Sequence, residues 1–275
     1  MKRLNLGLTG LLMGSLLVGC GTPSDLLAPH VASQGSFSAQ AGAPANYYKA
    51  AQGQTGVALL ATLQNTVTKH KNLGYGGARD VMFGTLDDRN NNDTVACVYT
   101  GITVTGVKNS GTAYKNGAGL NTEHTWPQSL GATGAAKSDL HHLFPTESKT
   151  NGARGSHPFG EVRNATHTFP MLEVGQQKSR LGTNASGKTV FEPRDEHKGN
   201  VARAIFYFYT VYGFRGSANL ANFRVEEETL VKWHVLDPVD ADERKRNDGI
   251  YAAQGNRNPF VDHPEFVELV GKFKQ

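Results

Sequence analysis

The chain has 275 residues, of which 38% are hydrophobic and 19% charged, and its formal charge at pH 7 is +4. This length and composition are typical of one or two folded domains and exclude a chain that is disordered throughout. They also exclude a polytopic membrane protein, because the one long apolar stretch without acidic or basic residues lies at the very start.

The first twenty residues have the organisation of an export signal. The basic pair Lys2-Arg3 precedes a short apolar run that ends in Leu17-Val18-Gly19-Cys20, and these are the parts of a secretory signal. The last four residues resemble a bacterial lipobox. This resemblance implies that residues 1–19 are a signal peptide and that Cys20 is lipidated at the cell envelope. The alternative is an ordinary cleaved signal, after which the chain would be secreted or periplasmic.

Charge and cysteine content limit how the mature chain could bind a partner or gain stability. Loss of the signal removes two basic residues and no acidic one, which leaves only a weak basic bias. Any affinity for nucleic acid must therefore arise in a local groove rather than from the net charge of the whole chain. With Cys20 modified, Cys97 has no cysteine partner, so no intrachain disulfide is expected.

Composition then divides the remaining chain into a tether and a domain. Residues 20–45 are rich in Ser, Ala, Gly, Gln and Pro and show no hydrophobic period, which predicts a flexible tether behind the lipidated cysteine. Residues 46–275 contain no repeat and no second linker, so we predict one domain of mixed helices and strands.

Hydrophobic spacing predicts the first elements of this domain. Apolar residues at helical spacing over 57–67 indicate a helix, which the glycine-rich segment 74–77 ends. The segment 95–107 is rich in β-branched residues and is interrupted by Gly101, which predicts two short strands joined by a turn.

Further helices are predicted in the last third of the chain. Residues 201–212 have the pattern of a buried helix, and a helix over 230–236 is broken at Asp237-Pro238. Asp240 together with Glu243 offers a capping box for the helix that follows.

Residues with catalytic chemistry are concentrated in the middle of the chain. Five of the ten histidines lie between residues 124 and 167, where apolar residues are sparse and acids, amides and arginine accumulate. These histidines are His124, His141, His142, His157 and His167. This segment is the first place in which to expect an active site.

The dipeptide Glu123-His124 is a candidate acid and base pair. Neighbouring side chains on a strand point to opposite faces, so the two can serve one site only where the strand ends. Trp126-Pro127 favours such an end, because proline cannot continue a strand pairing. A carboxylate that holds a hard cation and an imidazole that activates water suit phosphodiester hydrolysis. The alternative is an exposed Glu123 beside a His124 packed in the core.

Asn151 is a candidate partner of Glu123. Residues 146–151 predict a short helix with Thr146 as its cap, and this helix would turn Asn151 toward Glu123. One carboxylate and one amide oxygen suit Mg²⁺, which keeps several waters. The alternatives are Asn151 as a helix C-cap and Arg154 as a solvated charge.

Four blocks of sequence together carry a family resemblance. The blocks are Glu123-His124-Thr125-Trp126-Pro127, Asp139-Leu140-His141-His142-Leu143, Asn151-Gly152-Ala153-Arg154-Gly155 and Gln254-Gly255-Asn256-Arg257-Asn258-Pro259-Phe260. In this order and spacing they resemble the bacterial endonuclease I family of secreted or periplasmic non-specific nucleases, over about residues 75–270. The resemblance implies an α+β fold in which helices and short antiparallel strands surround a ββα-metal motif.

The resemblance also implies roles for the central residues. His124 corresponds to the general base, and Glu123 and Asn151 correspond to the ligands of one divalent cation. Mg²⁺ is the expected cation, with Ca²⁺ or Mn²⁺ as alternatives. Cleavage would leave 5′-phosphate ends on DNA and in many members on RNA. Arg154 corresponds to a basic residue that clamps the phosphate.

Other positions are predicted to support the site or bind substrate. The resemblance implies that Asp139 and His141 orient the base or the waters of the cation. Between Trp126 and Asp139 the family often has a phosphate-binding arginine, and here only Lys137 is basic. A second group of predicted substrate-binding residues is Arg246, Asn256 and Arg257. The alternative for the basic run 244–246 is a solvated helix face.

Two alternatives to a magnesium nuclease remain open at this point. A zinc hydrolase could use His124, His141 and His142 as ligands, since three imidazoles suit catalytic zinc. A surface lipoprotein could also bind nucleic acid without cleaving it. In each case the membrane contact is through a lipid anchor only, and no obligate protein partner is evident.

Overall fold

The computed structural model describes residues 42–170 and 178–273. The predicted signal peptide, Cys20 and nearly all of the predicted tether lie outside the described residues. Within the described ranges, no helix has both the length and the apolar character needed to cross a bilayer.

Helices make up most of the regular structure. Three of them lie in the first part of the described chain: α1 Gly56–Val67, α2 Gly74–Val81 and α3 Ser110–Tyr114. A fourth, α4 Ser148–Arg154, lies in the middle. The last third contains α5 Lys198–Phe208, α6 Phe223–Leu236, α7 Ala241–Gln254, α8 Pro259–Asp262 and α9 Phe266–Val270.

The strands are short and pair in antiparallel fashion. They are β1 Thr94–Ala96, β2 Thr103–Thr105, β3 Leu120–His124, β4 Leu143–Glu147, β5 Asn164–Thr168, β6 Arg180–Thr183 and β7 Thr189–Glu192. β1 pairs with β2, β3 pairs with β4, and β5, β6 and β7 form a three-stranded sheet in that order. This architecture is α+β, as predicted.

Several predicted elements are confirmed. The periodic segment 57–67 forms α1, and the segment around Gly101 forms the β1–β2 pair. α6 ends at Leu236 before the predicted break, and the side chain of Asp240 accepts a hydrogen bond from the Glu243 amide at 2.7 Å at the start of α7.

Two local predictions are wrong. The glycine-rich segment 74–77 begins α2 instead of ending α1. Just before this helix, the side chain of Asn72 accepts from the Gly74 amide at 2.9 Å. Thr146 is not a helix cap, since it pairs with Asn121 within β4 and the helix begins only at Ser148.

The core is built around α5, of which nearly every side chain is buried. Aromatic rings stack on both sides of it. The Trp126 ring lies 4.7 Å from Phe208, and Phe206 lies 4.4 Å from Phe273. Trp126 lies two residues after the end of β3, so this stacking anchors that end to the central helix.

The strand pair β3–β4 positions the polar residues of the middle segment. Glu123 lies opposite Phe144, and His124 lies opposite Leu143. β4 passes into α4 without a loop. The sequence therefore folds here as two antiparallel strands followed by a short helix.

Candidate active site

Glu123 and His124 are the last two residues of β3. The next residues leave the strand, and the indole of Trp126 donates to the carbonyl of Leu130 at 2.9 Å within the turn that follows. The predicted strand end is confirmed. The two side chains lie on opposite faces of β3, so one site could use both only because the strand ends here.

Glu123 is buried, and its two carboxylate oxygens have different surroundings. Its side chain is 1% exposed. Oε1 accepts from the hydroxyl of Tyr99 at 2.9 Å and lies 3.1 Å from Nη1 of Arg154. Oε2 is buried and has no hydrogen-bond partner within residues 42–170 and 178–273. Burial raises the pKa of Glu123, against the opposing influence of Arg154 and Tyr99.

Arg154 supports this carboxylate from inside the protein. It is 2% exposed, and its guanidinium donates to the carbonyls of His124 at 3.0 Å and Thr125 at 2.7 Å. It also lies 4.5 Å from the ring centroid of Phe159. The predicted phosphate clamp therefore needs correction, because these contacts turn the guanidinium toward Glu123 and the end of β3 rather than toward solvent.

Asn151 lies on α4 beside the same strand. Its Nδ2 donates to the side chain of Asn121 and to the carbonyl of Thr122 at 3.1 Å. Within the described residues Oδ1 accepts no hydrogen bond. Asn151 is held next to the residue that precedes Glu123, and its amide oxygen is left free. The geometry is compatible with the predicted pairing of Asn151 and Glu123.

His124 has a ring orientation that distinguishes its two nitrogens. Nε2 lies 3.1 Å from the carbonyl of Lys137, so this nitrogen carries the proton and donates. Nδ1 keeps its lone pair and faces the exposed amide of Gln128 at 3.4 Å. Burial, followed by the nearby His142, lowers the pKa of His124 to about 3. In the absence of substrate, the imidazole of His124 is therefore neutral across the physiological pH range.

Asp139 anchors the turn between the two strands. Its carboxylate accepts from Tyr207 at 2.8 Å, Tyr212 at 2.9 Å, Gln254 at 2.8 Å and the His141 amide at 3.1 Å. His141 is buried against Tyr207, and its Nε2 lies 3.2 Å from the carbonyl of Asn256. Asp139 and His141 thus fix the turn Leu140–His142 that leads into β4.

The three histidines proposed as zinc ligands do not converge. Nε2 of His142 lies 2.6 Å from the carbonyl of Ala136, while His124 and His141 each bond to a different carbonyl. In residues 42–170 and 178–273 no three His, Cys, Asp or Glu side chains are grouped so that they could hold a metal ion. The geometry does not support the zinc alternative.

The second group of predicted substrate-binding residues lies inside the protein. Arg246 is bonded to Asp87 at 2.9 Å, and Arg257 is bonded to Asp262 at 2.6 Å. Asn256 is 0% exposed and donates to the carbonyl of Val67 at 2.7 Å. These contacts account for the three side chains as internal supports. The expectation that they line a surface groove needs correction for that reason.

Lys137 lies beside His124, together with two residues that the sequence analysis did not single out. Its ammonium lies 4.5 Å from the ring centroid of Tyr75, and the Tyr75 ring lies 5.5 Å from that of His124. Arg79 lies over the same Tyr75 ring at 5.3 Å. Tyr75 and Arg79 are four positions apart, so a helix would place them on one face. That spacing could have indicated both residues, but the glycine-rich segment 74–77 was expected to end a helix.

The buried carboxylate, the amide and the imidazole at one end of a strand are the polar groups that phosphodiester hydrolases use. A model of the endonuclease I family matches residues 55–265 of this chain. The chain belongs to the endonuclease I family and is a nuclease.

Individual relatives agree with this assignment. The chain is 34% identical to the extracellular ribonuclease of Bacillus subtilis (strain 168) over 239 residues, which cover 82% of this chain and 77% of that protein. It is 27% identical to the periplasmic deoxyribonuclease of Aeromonas hydrophila over 124 residues, 45% of this chain and 47% of that protein. Endonuclease-1 of Buchnera aphidicola subsp. Acyrthosiphon pisum (strain APS) is 26% identical over 125 residues, 46% and 44% respectively.

Proposed function

We propose that the chain is a metal-dependent, non-specific endonuclease that hydrolyses phosphodiester bonds of DNA and RNA and leaves 5′-phosphate ends. The relatives include both a ribonuclease and deoxyribonucleases, which supports a substrate class defined by the shared phosphodiester backbone. The observation that carries the proposal is the buried Oε2 of Glu123, which has no hydrogen-bond partner among the residues that the structure describes.

The residues at the end of β3 fit a hard divalent cation. A buried carboxylate oxygen without a hydrogen bond is costly unless another group compensates it. The free amide oxygen of Asn151 offers a second oxygen ligand. Two protein oxygens suit Mg²⁺, which retains waters and takes further oxygens from substrate phosphate, and Ca²⁺ or Mn²⁺ share this ligand preference. When bound, the cation would stabilise negative charge on the phosphate and on the leaving 3′-oxygen.

His124 is the proposed general base, and it acts through Nδ1. The carbonyl of Lys137 fixes the proton on Nε2, so Nδ1 is available to take a proton from the attacking water. Burial keeps the ring neutral before substrate binds. A phosphate beside the ring would raise its pKa, because a negative charge favours the imidazolium. Gln128 is exposed and makes only a long contact with Nδ1, so its amide can move aside.

The remaining site residues hold this arrangement in place. Arg154 fixes the Glu123 carboxylate and the carbonyls that end β3. Asp139 and His141 fix the turn that enters β4. These residues position the reacting groups and do not touch the substrate themselves.

Degradation of plasmid DNA and of an RNA transcript tests this function. We expect cleavage with Mg²⁺, its loss in EDTA, and its loss in His124→Ala but not in His167→Ala, which removes an exposed histidine on β5. Cleavage that resists EDTA, or full activity of His124→Ala, would contradict the mechanism. Activity with Zn²⁺ but never with Mg²⁺ would favour the zinc alternative, and binding without cleavage would favour the non-catalytic one.

We also propose that the chain is exported and lipid-anchored through Cys20. The names of the relatives place those proteins outside the cell or in the periplasm. This supports a nuclease that acts outside the cytoplasm, while the anchor itself rests on the sequence Leu17-Val18-Gly19-Cys20. Mass spectrometry of the mature N-terminus should find a diacylglyceryl cysteine at position 20. We also expect the Cys20→Ser variant to be released from the membrane fraction.

A further inference from the structure

We infer that Arg79 of α2, together with Lys137, forms a second phosphate subsite on the His124 side of β3. It would hold a backbone phosphate that flanks the scissile bond, with Tyr75 as the residue that positions Lys137. The inference rests on the proposed nuclease function and adds two residues to its substrate contacts.

The placement of Arg79 follows from the alternation of side chains along β3. Thr122 and His124 are two residues apart and therefore point to the same face of the strand. Nε of Arg79 donates to Oγ1 of Thr122 at 3.1 Å. The guanidinium is thereby fixed on the face of β3 that carries the proposed general base.

The terminal nitrogens of the Arg79 guanidinium are available to bind a ligand. Its Nη1 and Nη2 form no hydrogen bond or ion pair within residues 42–170 and 178–273, and the side chain is half-buried. Arg154 and Arg246, by contrast, are buried and bonded to carboxylates and carbonyls of the chain. An arginine fixed by Nε with its terminal nitrogens free presents the fork that binds phosphate oxygens in pairs.

Lys137 and Tyr75 connect this cation to His124. The backbone carbonyl of Lys137 accepts from His124, while its ammonium lies over the Tyr75 ring. Arg79 lies over the same ring, so the two cations flank one aromatic side chain. The neighbouring Gly76 has no atom within 4 Å of the place where a Cβ would stand. The surface of α2 is therefore open there to a polymer backbone.

Binding of a labelled single-stranded DNA oligonucleotide tests the subsite without cleavage. All variants carry His124→Ala, and fluorescence anisotropy gives the dissociation constant over a range of salt concentrations in EDTA. We expect Arg79→Ala to weaken binding about tenfold or more and to lower the slope of log K against log salt by about 1. Arg79→Lys should lose less affinity than Arg79→Ala. The control Lys49→Ala removes an exposed charge on the turn Lys49–Ala51 and should bind as the parent does.

An affinity of Arg79→Ala within twofold of Lys49→Ala at every salt concentration would overturn the subsite. If Arg79→Ala has a lowered melting temperature, Arg79→Gln decides by the same criterion, since it keeps a hydrogen-bond donor for Thr122. The proposed function is tested separately, because a parent chain that binds but never cleaves refutes the nuclease mechanism whatever Arg79 does.

The role of Tyr75 is tested in the chain with His124 intact. Tyr75→Phe keeps the ring and should raise KM less than Tyr75→Leu does. Tyr75→Leu removes the ring and should raise KM at an unchanged melting temperature. Equal impairment of the two variants, or none in either, would contradict a positioning role for the ring.

Discussion

Arg154 lies 3.1 Å from one oxygen of the Glu123 carboxylate, and the other oxygen of that buried group has no hydrogen-bond partner in the part of the chain that the structure describes. The arginine thus fixes the direction of the carboxylate and balances part of its charge. The same guanidinium bonds to the carbonyl of His124. One buried cation therefore holds the proposed metal ligand and the backbone of the proposed base together.

Replacement of Arg154 by methionine should cost stability as well as activity. Removing one partner of a buried ion pair leaves an uncompensated charge and costs about 3–5 kcal/mol. Urea unfolding should measure this loss. The control is Arg89→Met, since Arg89 pairs with Asp242 with both side chains about half exposed, and an exposed pair contributes only about 0–1 kcal/mol. Equal losses in the two variants would show that Arg154 is not the support that its contacts describe.

Asn151→Ala should reduce turnover far more than it weakens nucleic-acid binding. The proposed cation acts mainly on the transition state, so losing one of its ligands lowers kcat before it lowers affinity. Mutation of a residue that hydrogen-bonds to a metal ligand lowers activity by about 10–100-fold. Loss of a residue that binds the metal directly should lower activity by at least the same factor. Single-turnover cleavage and anisotropy separate the two effects.

The control for Asn151 is Asn164→Ala, which removes an exposed amide on β5. It should leave both turnover and binding unchanged. If Asn151→Ala lost binding and turnover by the same factor, Asn151 would be a substrate contact rather than a ligand of the cation.

Tyr212→Phe should show how strongly the buried carboxylate of Asp139 depends on its donors. The hydroxyl of Tyr212 donates to Asp139 at 2.9 Å, and hydrogen bonds to charged groups contribute about 1.5–3 kcal/mol. We expect a loss in that range with most of the activity retained, because three other donors still hold Asp139. Thermal unfolding measures the loss, and a variant as stable as the parent would mean that this hydrogen bond contributes nothing.

The proposed site could be placed at the end of β3 from the sequence because its signals are local. Pro127 indicated where β3 ends, and the order of the motif blocks placed Glu123, His124 and Asn151 in one family pattern. The β1–β2 turn and the break after Leu236 were predictable for the same reason, since glycine and proline act on the backbone around them.

Burial of charged residues could not be predicted in this way. Arg246 and Arg257 were expected in a groove, but whether an arginine faces solvent depends on carboxylates that only the fold brings near. Asp87, which binds Arg246, is 159 residues away in sequence. Arg79 was missed for the converse reason, because its contact with Thr122 spans 43 residues and nothing local places α2 against β3.

The pH dependence of stability should change when Glu226 is replaced by glutamine. Glu226 is buried and accepts from the amide of Phe159 at 2.6 Å, and burial raises its pKa to about 7. In the unfolded chain the pKa is near 4.5. Between these values the unfolded chain ionises while the folded chain stays protonated. The folded state of the parent therefore loses stability as pH rises from about 4.5 to 7.

Glutamine cannot ionise, so Glu226→Gln should match the parent near pH 4 and exceed its stability at pH 8, by up to about 3 kcal/mol. Chemical denaturation at the two pH values checks this. Glu228→Gln, at an exposed position on the same helix, should leave the pH dependence unchanged. A Glu226→Gln variant that is less stable than the parent at pH 8 would contradict the assignment.

Diffraction from crystals grown with Mn²⁺, collected at the manganese absorption edge, would show directly whether Glu123 and Asn151 bind one cation. We expect one anomalous peak in contact with Oε2 of Glu123 and Oδ1 of Asn151, with metal–oxygen distances near those of Mg²⁺, about 2.0–2.1 Å. The peak should vanish in Glu123→Gln crystals of the same form. Manganese bound elsewhere, with both of these oxygens left free, would contradict this expectation.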